Sequence, residues 1–192
     1  MQNPIRIALM ISGKGSNAKN VIQQSLKGDC IRVALVVSTQ VNAEMSEFCS
    51  QTAVAFEHIE PWDITKVKLL VENHRIEVLV LAGFLRKITP ELLNLFPDRI
   101  LNLHPSLLPK YGGKGMYGIH VHRKVIENQE KESGITVHLV NENYDEGRII
   151  AQFCCSLLPE ESPESLERKI RLLELQHFPE VVFAYCSALK RC

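Results

Sequence analysis

The amino-acid sequence predicts a doubly wound α/β fold: a mostly parallel sheet flanked by helices, with antiparallel strands added toward the C-terminus. Three observations carry this. Short, almost wholly apolar runs recur through residues 1–100, as strands do when both faces of a sheet are covered. Helical stripes with tight connections fill the intervals between those runs. Of 192 residues, 45% are hydrophobic, enough for one core in one domain.

The first run, IRIALMI at Ile5–Ile11, ends in the turn Ser12-Gly13-Lys14-Gly15-Ser16-Asn17. Ala18, Val21, Ile22 and Leu26 then mark a helix that stops near Gly28. Residues 31–37, IRVALVV, read as the second strand, and Met45, Phe48 and Cys49 mark a helix over residues 42–51. Residues 54–59 form a short third strand, and Pro61 is expected to open a helix that turns Val67, Leu70 and Val71 inward. A fourth strand over residues 76–81 runs into Ala82-Gly83-Phe84-Leu85-Arg86. Thr89-Pro90-Glu91 has the cap, first-position proline and first-turn acid of a helix start. A fifth strand covers residues 99–103.

Residues 104–118 break the rhythm with Pro105, Pro109, Gly112, Gly113, Gly115 and Gly118, and a structured loop this long generally serves function. A helix over residues 119–128 follows, then strands over 136–140 and 149–155, which the intervening Gly147 allows to pair antiparallel. Ser162-Pro163-Glu164 caps a closing helix, which Pro179 is expected to interrupt.

Charge and cysteine content narrow the function classes. The 22 Lys and Arg cancel the 22 Asp and Glu, which argues against nucleic acid and a membrane surface as partners. No apolar run approaches a membrane span, and the start of the chain, with Asn3, Pro4 and Arg6, does not read as a signal peptide. The six cysteines form no C-x-x-C pair and are expected to be free thiols in a reducing cytoplasm.

Two clusters carry chemistry. The Ser12–Asn17 turn is not a Walker A loop, and Ala18 stands where a dinucleotide fingerprint has its third glycine. Ser38-Thr39-Gln40 closes the second strand without the carboxylate that would hold a ribose. Two readings remain: a small phosphate site built from the N–H groups of Gly15, Ser16 and Asn17 at a helix start, or a plain turn capped by Ser16 or Asn17. In the second cluster, Asn102 and His104 share a face at the carboxyl end of the fifth strand, within reach of Asp145. Asn donates to a developing oxyanion, His moves protons at neutral pH, and Asp orients the His and favours its charged form. Ser106 lacks a nucleophile-elbow context, and His120 and His122 lack recognised metal spacing, so neither a covalent intermediate nor a metal is expected. His138 reads as a structural strand residue and Trp62 as packing; Lys110 and Tyr111 either shape the substrate side or support the loop, and Lys190-Arg191 reads as a solvated helix end.

Four segments in order resemble the phosphoribosylglycinamide formyltransferase family: Gly13-Lys14-Gly15-Ser16-Asn17, Leu81-Ala82-Gly83-Phe84-Leu85-Arg86, the block from Asn102 through His104-Pro105-Ser106 to Tyr111, and Gly134-Ile135-Thr136-Val137-His138 followed by Tyr144-Asp145-Glu146-Gly147. The likeness covers nearly the whole chain. It implies a formyltransferase-like Rossmann variant and one domain over 1–192, with a nucleotide-side half at 1–100 and a folate-side half with active-site loops at 101–192. It implies formyl transfer from 10-formyltetrahydrofolate, a co-substrate rather than a bound cofactor, to a glycinamide ribonucleotide through a tetrahedral intermediate, with protonated His104 helping to stabilise the oxyanion.

The implied roles are catalysis for Asn102, His104 and Asp145, phosphate binding for Gly15, Ser16 and Asn17, and glycinamide binding for Glu174. Leu85, Arg86, Lys87, Ile88, Asn102, Asn141 and Tyr144 are implied at the folate. Both partners are small molecules, and the protein is expected to be a monomer or homodimer. The chain departs from the family pattern in the stretch Gly112 to Gly118, inserted ahead of His120. Related folate chemistries are the alternatives: a formyltetrahydrofolate hydrolase, an initiator methionyl-tRNA formyltransferase, which carries an additional RNA-binding domain, or an inactive folate- or nucleotide-binding protein.

Overall fold

The computed structural model describes residues 3–190. The expectations for Met1, Gln2, Arg191 and the Cys192 thiol lie outside the described residues. A seven-stranded sheet has the order β3-β2-β1-β4-β5-β6-β7. Its strands are β1 (Ile5–Ile11), β2 (Ile31–Ser38), β3 (Ala55–His58), β4 (Val78–Leu81), β5 (Ile100–His104), β6 (Glu132–Leu139) and β7 (Ile149–Ser156). The first five pair parallel, and β6 and β7 add on antiparallel beyond β5.

Period-two alternation splits each central strand between two cores. Ile7, Leu9 and Ile11 of β1 pack with Val21 and Ile22 of α1 (Ser16–Ser25) and with Ile170, Phe178 and Val182 of α6 (Pro163–Leu189). Ala8 and Met10 face the other way, into a layer with Val67 and Val71 of α3 (Ile64–Asn73) and Leu92 of α4 (Pro90–Leu95). This double burial is why the strand runs are apolar throughout. The remaining helices are α2 (Ala43–Gln51) and α5 (Ile119–Glu127).

The chain winds outward from β1 to β3 and then crosses back to β4. The crevice therefore opens between the carboxyl ends of β1 and β4, where open α/β sheets take ligands. Buried Ser12 ties that switch point together. Its N–H donates to the Gly83 carbonyl at 2.9 Å. Its hydroxyl accepts from Thr39 Oγ1 at 2.8 Å and from the Leu85 N–H at 3.1 Å.

Three expected boundaries move, each for a local reason. The helix expected at Pro61 begins at Ile64, because the Asp63 carboxylate accepts from Thr65 N at 2.8 Å and Lys66 N at 3.3 Å. Strand β6 begins at Glu132 rather than 136, because β7 extends the ladder back to Glu132 opposite Ser156. Helix α6 runs unbroken through Pro179. The proline removes the N–H that Leu175 O would accept four residues on, and Asn20 Nδ2 of α1 donates to that carbonyl instead, at 2.5 Å. The described cysteines, Cys30, Cys49, Cys154, Cys155 and Cys186, are free. No described helix is long and apolar enough to cross a membrane.

Candidate active site

A cleft of about 940 Å³ lies over the carboxyl ends of β1, β4 and β5. Ser16, Asn17, Leu85, Arg86, Lys87, Ile88, Asn102, His104, Asn141, Tyr144, Asp145 and Glu174 all line it. Gly15 lies behind the wall. It is the N-cap of α1 with φ 75°, and a Cβ there would come within 3.1 Å of Ile11 Cδ1 and 3.2 Å of Met45 Sδ. The left-handed backbone favours glycine, and any side chain would also have to push aside Ile11 and Met45. Neither Ser16 nor Asn17 caps the helix, so the N–H groups of its first turn receive no side-chain cap.

At the centre, β5 presents Asn102 and His104 on one face, and the loop after β6 brings Asp145 over them. Asp145 Oδ2 lies 3.5 Å from His104 Nδ1, and Asp145 Oδ1 accepts weakly from Asn102 Nδ2 at 3.5 Å. The Gly113 N–H donates to Oδ2 at 2.9 Å. Asp145 holds this pose with φ 57°, a left-handed conformation uncommon outside glycine. His104 is buried, and its Nε2–H donates to the Tyr111 carbonyl at 2.8 Å, which leaves Nδ1 turned to Asp145.

His138 joins this cluster. It is paired with Asn102 across the β5–β6 ladder, and Asn102 Nδ2 lies 3.0 Å from its Nε2. His138 Nδ1–H donates to Leu139 O at 2.8 Å, which turns Nε2 toward the Asn102 amide and to 3.5 Å from Asp145 Oδ1. Directly opposed residues on one sheet face meet in this way. Sequence reading treats His138 as structural because the register that sets it opposite Asn102 is a long-range property; the one available signal is a His two residues beyond Thr136 in the neighbouring strand.

The electrostatics separate the two charged partners. Burial pushes the His104 pKa below its usual 6.5 despite the opposing pull of Asp145 and the Tyr111 carbonyl, so the resting imidazole is neutral near pH 7. Desolvation of the ring thus outweighs the carboxylate. Burial also works to raise the pKa of Asp145. The contacts with His138, His104 and the Gly113 N–H together outweigh it and hold the carboxyl below the usual range.

At the α1 end, Asn17 Nδ2 donates to Glu174 Oε2 at 2.8 Å, while Asn17 Oδ1 is buried without a partner. Burial raises the Glu174 pKa, opposed by the Asn17 bond and by Arg171. At the opposite end, the Lys87 ammonium sits 5.5 Å from the Tyr144 ring centre and bridges the two walls. Arg86 turns to Glu60 at 3.2 Å and lies over Trp62, while Ile88 is buried in the core. Asn141 Oδ1 accepts from Asn143 N at 3.0 Å and shapes the loop that carries Tyr144 and Asp145. Both ends draw on both sides of residue 100, since Asn17 meets Glu174 and Lys87 meets Tyr144.

Lys110 and Tyr111 point away from the cleft: Lys110 pairs with Glu130 at 2.9 Å, and the Tyr111 hydroxyl donates to the same carboxylate at 2.8 Å. Ser106 is buried and braces the turn by donating to Lys110 O at 2.8 Å. His120 packs edge-on against Tyr117, and no group of three or more His, Cys, Asp or Glu among the described residues is arranged to hold a metal ion.

His122 of α5 is 2% exposed, lines the same cleft, and has no partner for Nδ1. Burial, aided by repulsion from His104, pushes its pKa down to about 4. As pH falls below 6.5 the unfolded chain takes up this proton before the folded one does, so stability drops between 6.5 and about 4 and levels off below. This site contributes on the order of 3 kcal/mol to that loss. Urea unfolding at pH 7.5 and 5 is expected to show a smaller stability difference for His122→Asn than for wild type; equal differences would remove His122 from the acid response.

Comparisons with known proteins accord with this geometry. The family model described as formyl transferase matches residues 5–182. The chain is 36% identical over 194 residues to the chloroplastic phosphoribosylglycinamide formyltransferase of Arabidopsis thaliana, covering 95% of this chain and 65% of that one. It is 33% identical over 187 residues to the phosphoribosylglycinamide formyltransferase of Haemophilus influenzae, covering 92% and 85%. The chain thus spans less than two thirds of the chloroplastic relative's length. Glycinamide ribonucleotide transformylase 1 of Symbiobacterium toebii superposes with a TM-score of 0.88 at 31% identity, covering 98% of this chain and 90% of the other. On the family match and on these likenesses in sequence and structure, the chain belongs to the formyl transferase family and is a homologue of phosphoribosylglycinamide formyltransferase.

Proposed function

We propose that the protein transfers the formyl group of 10-formyltetrahydrofolate to the primary amine of 5'-phosphoribosylglycinamide, giving the N-formyl ribonucleotide and tetrahydrofolate. One observation carries this: Asn102, His104 and Asp145 converge in a single cleft that ends at the open first turn of α1. The cleft, at about 940 Å³, is at the large end for a small-molecule site. Its lining holds Lys14, Arg86, Lys87, Lys114, Arg168 and Arg171 against Asp145, Glu167 and Glu174. In a chain of zero net charge that local excess of cations suits a phosphate at one end and folate carboxylates at the other.

The N–H groups of Ser16 and Asn17, with Gly15 setting the turn, bind the phosphate at the positive end of α1. Glu174 accepts from the glycinamide end. Leu85, Arg86, Lys87 and Ile88, with Asn141 and Tyr144, wall the folate. Asn102 Nδ2 donates to the formyl oxygen as the amine attacks and negative charge gathers there. The His104–Asp145 pair manages the proton: the attacking nitrogen loses one, the folate N10 gains one, and an imidazolium formed next to Asp145 is stabilised by the carboxylate. The reaction forms no acyl-enzyme. We assign the activity to one domain over 1–192, acting on small molecules in the cytoplasm, where its free thiols stay reduced.

The test is to incubate the purified protein with both substrates and identify both products. Formate in place of the formyl ribonucleotide would convert the reading to a hydrolase, and no turnover with retained binding would convert it to a binding protein. The Asn17–Glu174 pair adds a finer prediction. A hydrogen bond to a charged group contributes about 1.5–3 kcal/mol, so Asn17→Ala and Glu174→Gln are each expected to raise KM for the ribonucleotide by about tenfold or more, with KM for the folate changed by less than about twofold. Equal losses for both substrates would assign the pair to folding instead.

A further inference from the structure

The mechanism uses His104 and Asp145 as a pair, yet neither is held by the other alone. Three consecutive residues at the start of the long glycine-rich loop hold both. The Tyr111 carbonyl accepts the His104 Nε2–H at 2.8 Å. The Gly113 N–H donates to Asp145 Oδ2 at 2.9 Å. A Cβ added at Gly112, between them, would stand 2.6 Å from the side-chain end of Leu108, Cδ2, and 3.1 Å from Asp145 Cβ, so both neighbours would have to give.

The backbone conformation that makes this possible is a costly one. Tyr111 has φ 57° and Gly113 has φ 94°. At Tyr111 the left-handed region is disfavoured for an ordinary side chain, and surrounding contacts must hold it there. Those contacts lie outside the cleft. The phenol donates to Glu130 at 2.8 Å and accepts from Asn128 Nδ2 at 3.0 Å, and the buried Ser106 hydroxyl donates to the neighbouring Lys110 carbonyl at 2.8 Å.

We propose that Tyr111-Gly112-Gly113 is a backbone clamp that positions the catalytic pair: its carbonyl fixes the His104 tautomer, its N–H fixes the Asp145 carboxylate, and the phenol of Tyr111 anchors it from outside. These are positioning residues. The clamp makes the distance between imidazole and carboxylate a property of one short loop rather than of two separate strand ends. It also accounts for the glycine at 112, where a Cβ would crowd Asp145.

The kinetic half of this inference rests on the formyl-transfer reading, so the experiment pairs kinetics with a measurement that needs no turnover. The new methyl of Gly112→Ala presses on Asp145, which must give by a few tenths of an ångström, and kcat is expected to fall about tenfold or more, with each KM within about threefold. Adding Leu108→Ala gives the methyl room on its other side and is expected to recover part of the lost rate. Tyr111→Phe keeps the ring and loses only the anchor, and kcat is expected to fall about tenfold with an altered pH profile. In parallel, ¹⁵N NMR of the neutral His104 ring is expected to show the Nε2–H tautomer in wild type and a mixture in Tyr111→Phe and Gly112→Ala.

Wild-type kcat together with an unchanged tautomer in both variants overturns the clamp. So does a Gly112→Ala loss confined to KM. If the wild-type protein does not transfer formyl groups yet the tautomer changes as described, the clamp stands and the reaction assignment falls. If Gly112→Ala does not fold, Tyr111→Phe decides the outcome by the same two readouts.

Discussion

Asn102→Ala is expected to lower kcat by about 10²–10³-fold, or about 2.7–4 kcal/mol, with small changes in either KM. The expectation follows from where the amide sits. Its Nδ2 is held by His138 Nε2 at 3.0 Å, and only a long contact of 3.5 Å engages it with Asp145. One N–H is therefore oriented by the protein, and the other is weakly engaged and free to turn to an oxygen that gains charge. A donor already aimed before reaction costs no reorganisation when charge develops, which is why such donors act on kcat more than on KM. Truncation to alanine leaves His138 and Asp145 without this partner, so thermal unfolding must accompany the kinetics. A variant that melts near wild type and turns over within twofold of it would remove Asn102 from the chemistry.

Asp145→Asn is expected to reduce kcat by about 10²–10⁴-fold, the range for loss of a positioned proton-handling group. The substitution keeps the shape but removes the charge that opposes burial of a protonated His104. Its sign in a pH profile is specific. His104 is pushed below 6.5 by burial, and Asp145 is the largest influence in the opposite direction. In wild type, activity that depends on the neutral ring and the ionised carboxyl rises with pH through a limb below 6.5. Without the carboxylate the His104 pKa falls further, so the limb shifts to lower pH while the plateau drops. kcat measured from about pH 5 to about pH 9 separates the two effects. An unchanged plateau, or a limb that moves upward, contradicts the pairing of His104 with Asp145.

Much of the site is local in sequence and was readable for that reason. Asn102 and His104 share a face because a strand alternates with period two, and the strand end is where an open α/β sheet takes ligands. The Ser12–Asn17 turn opens a helix because glycine can adopt the left-handed conformation that Gly15 has. His138 was not readable, because its approach to Asn102 depends on the antiparallel register of β5 and β6. The same limit applies to Tyr111. Its sequence neighbourhood leaves a substrate wall and a loop support both open, and the turn folds back into the second: the phenol meets Glu130 and the carbonyl meets His104. Pro179 misled for a related reason: the helix-breaking effect of proline is a local rule, and the compensating donor, Asn20, comes from another helix.

The architecture and the residue types available for chemistry are legible in the sequence alone. Apolar runs and helical stripes specify the doubly wound sheet because burial on both faces is a property each segment carries in its own composition. How these groups are tuned and held came from the fold instead: burial that lowers the His104 pKa, contacts that keep the Asp145 carboxyl low, an Asn102 set against His138, and the Tyr111 carbonyl and Gly113 N–H on His104 and Asp145. Desolvation, hydrogen-bond partners and tautomers depend on which distant segments come within about 3 Å of one another, and sequence separation does not encode that distance.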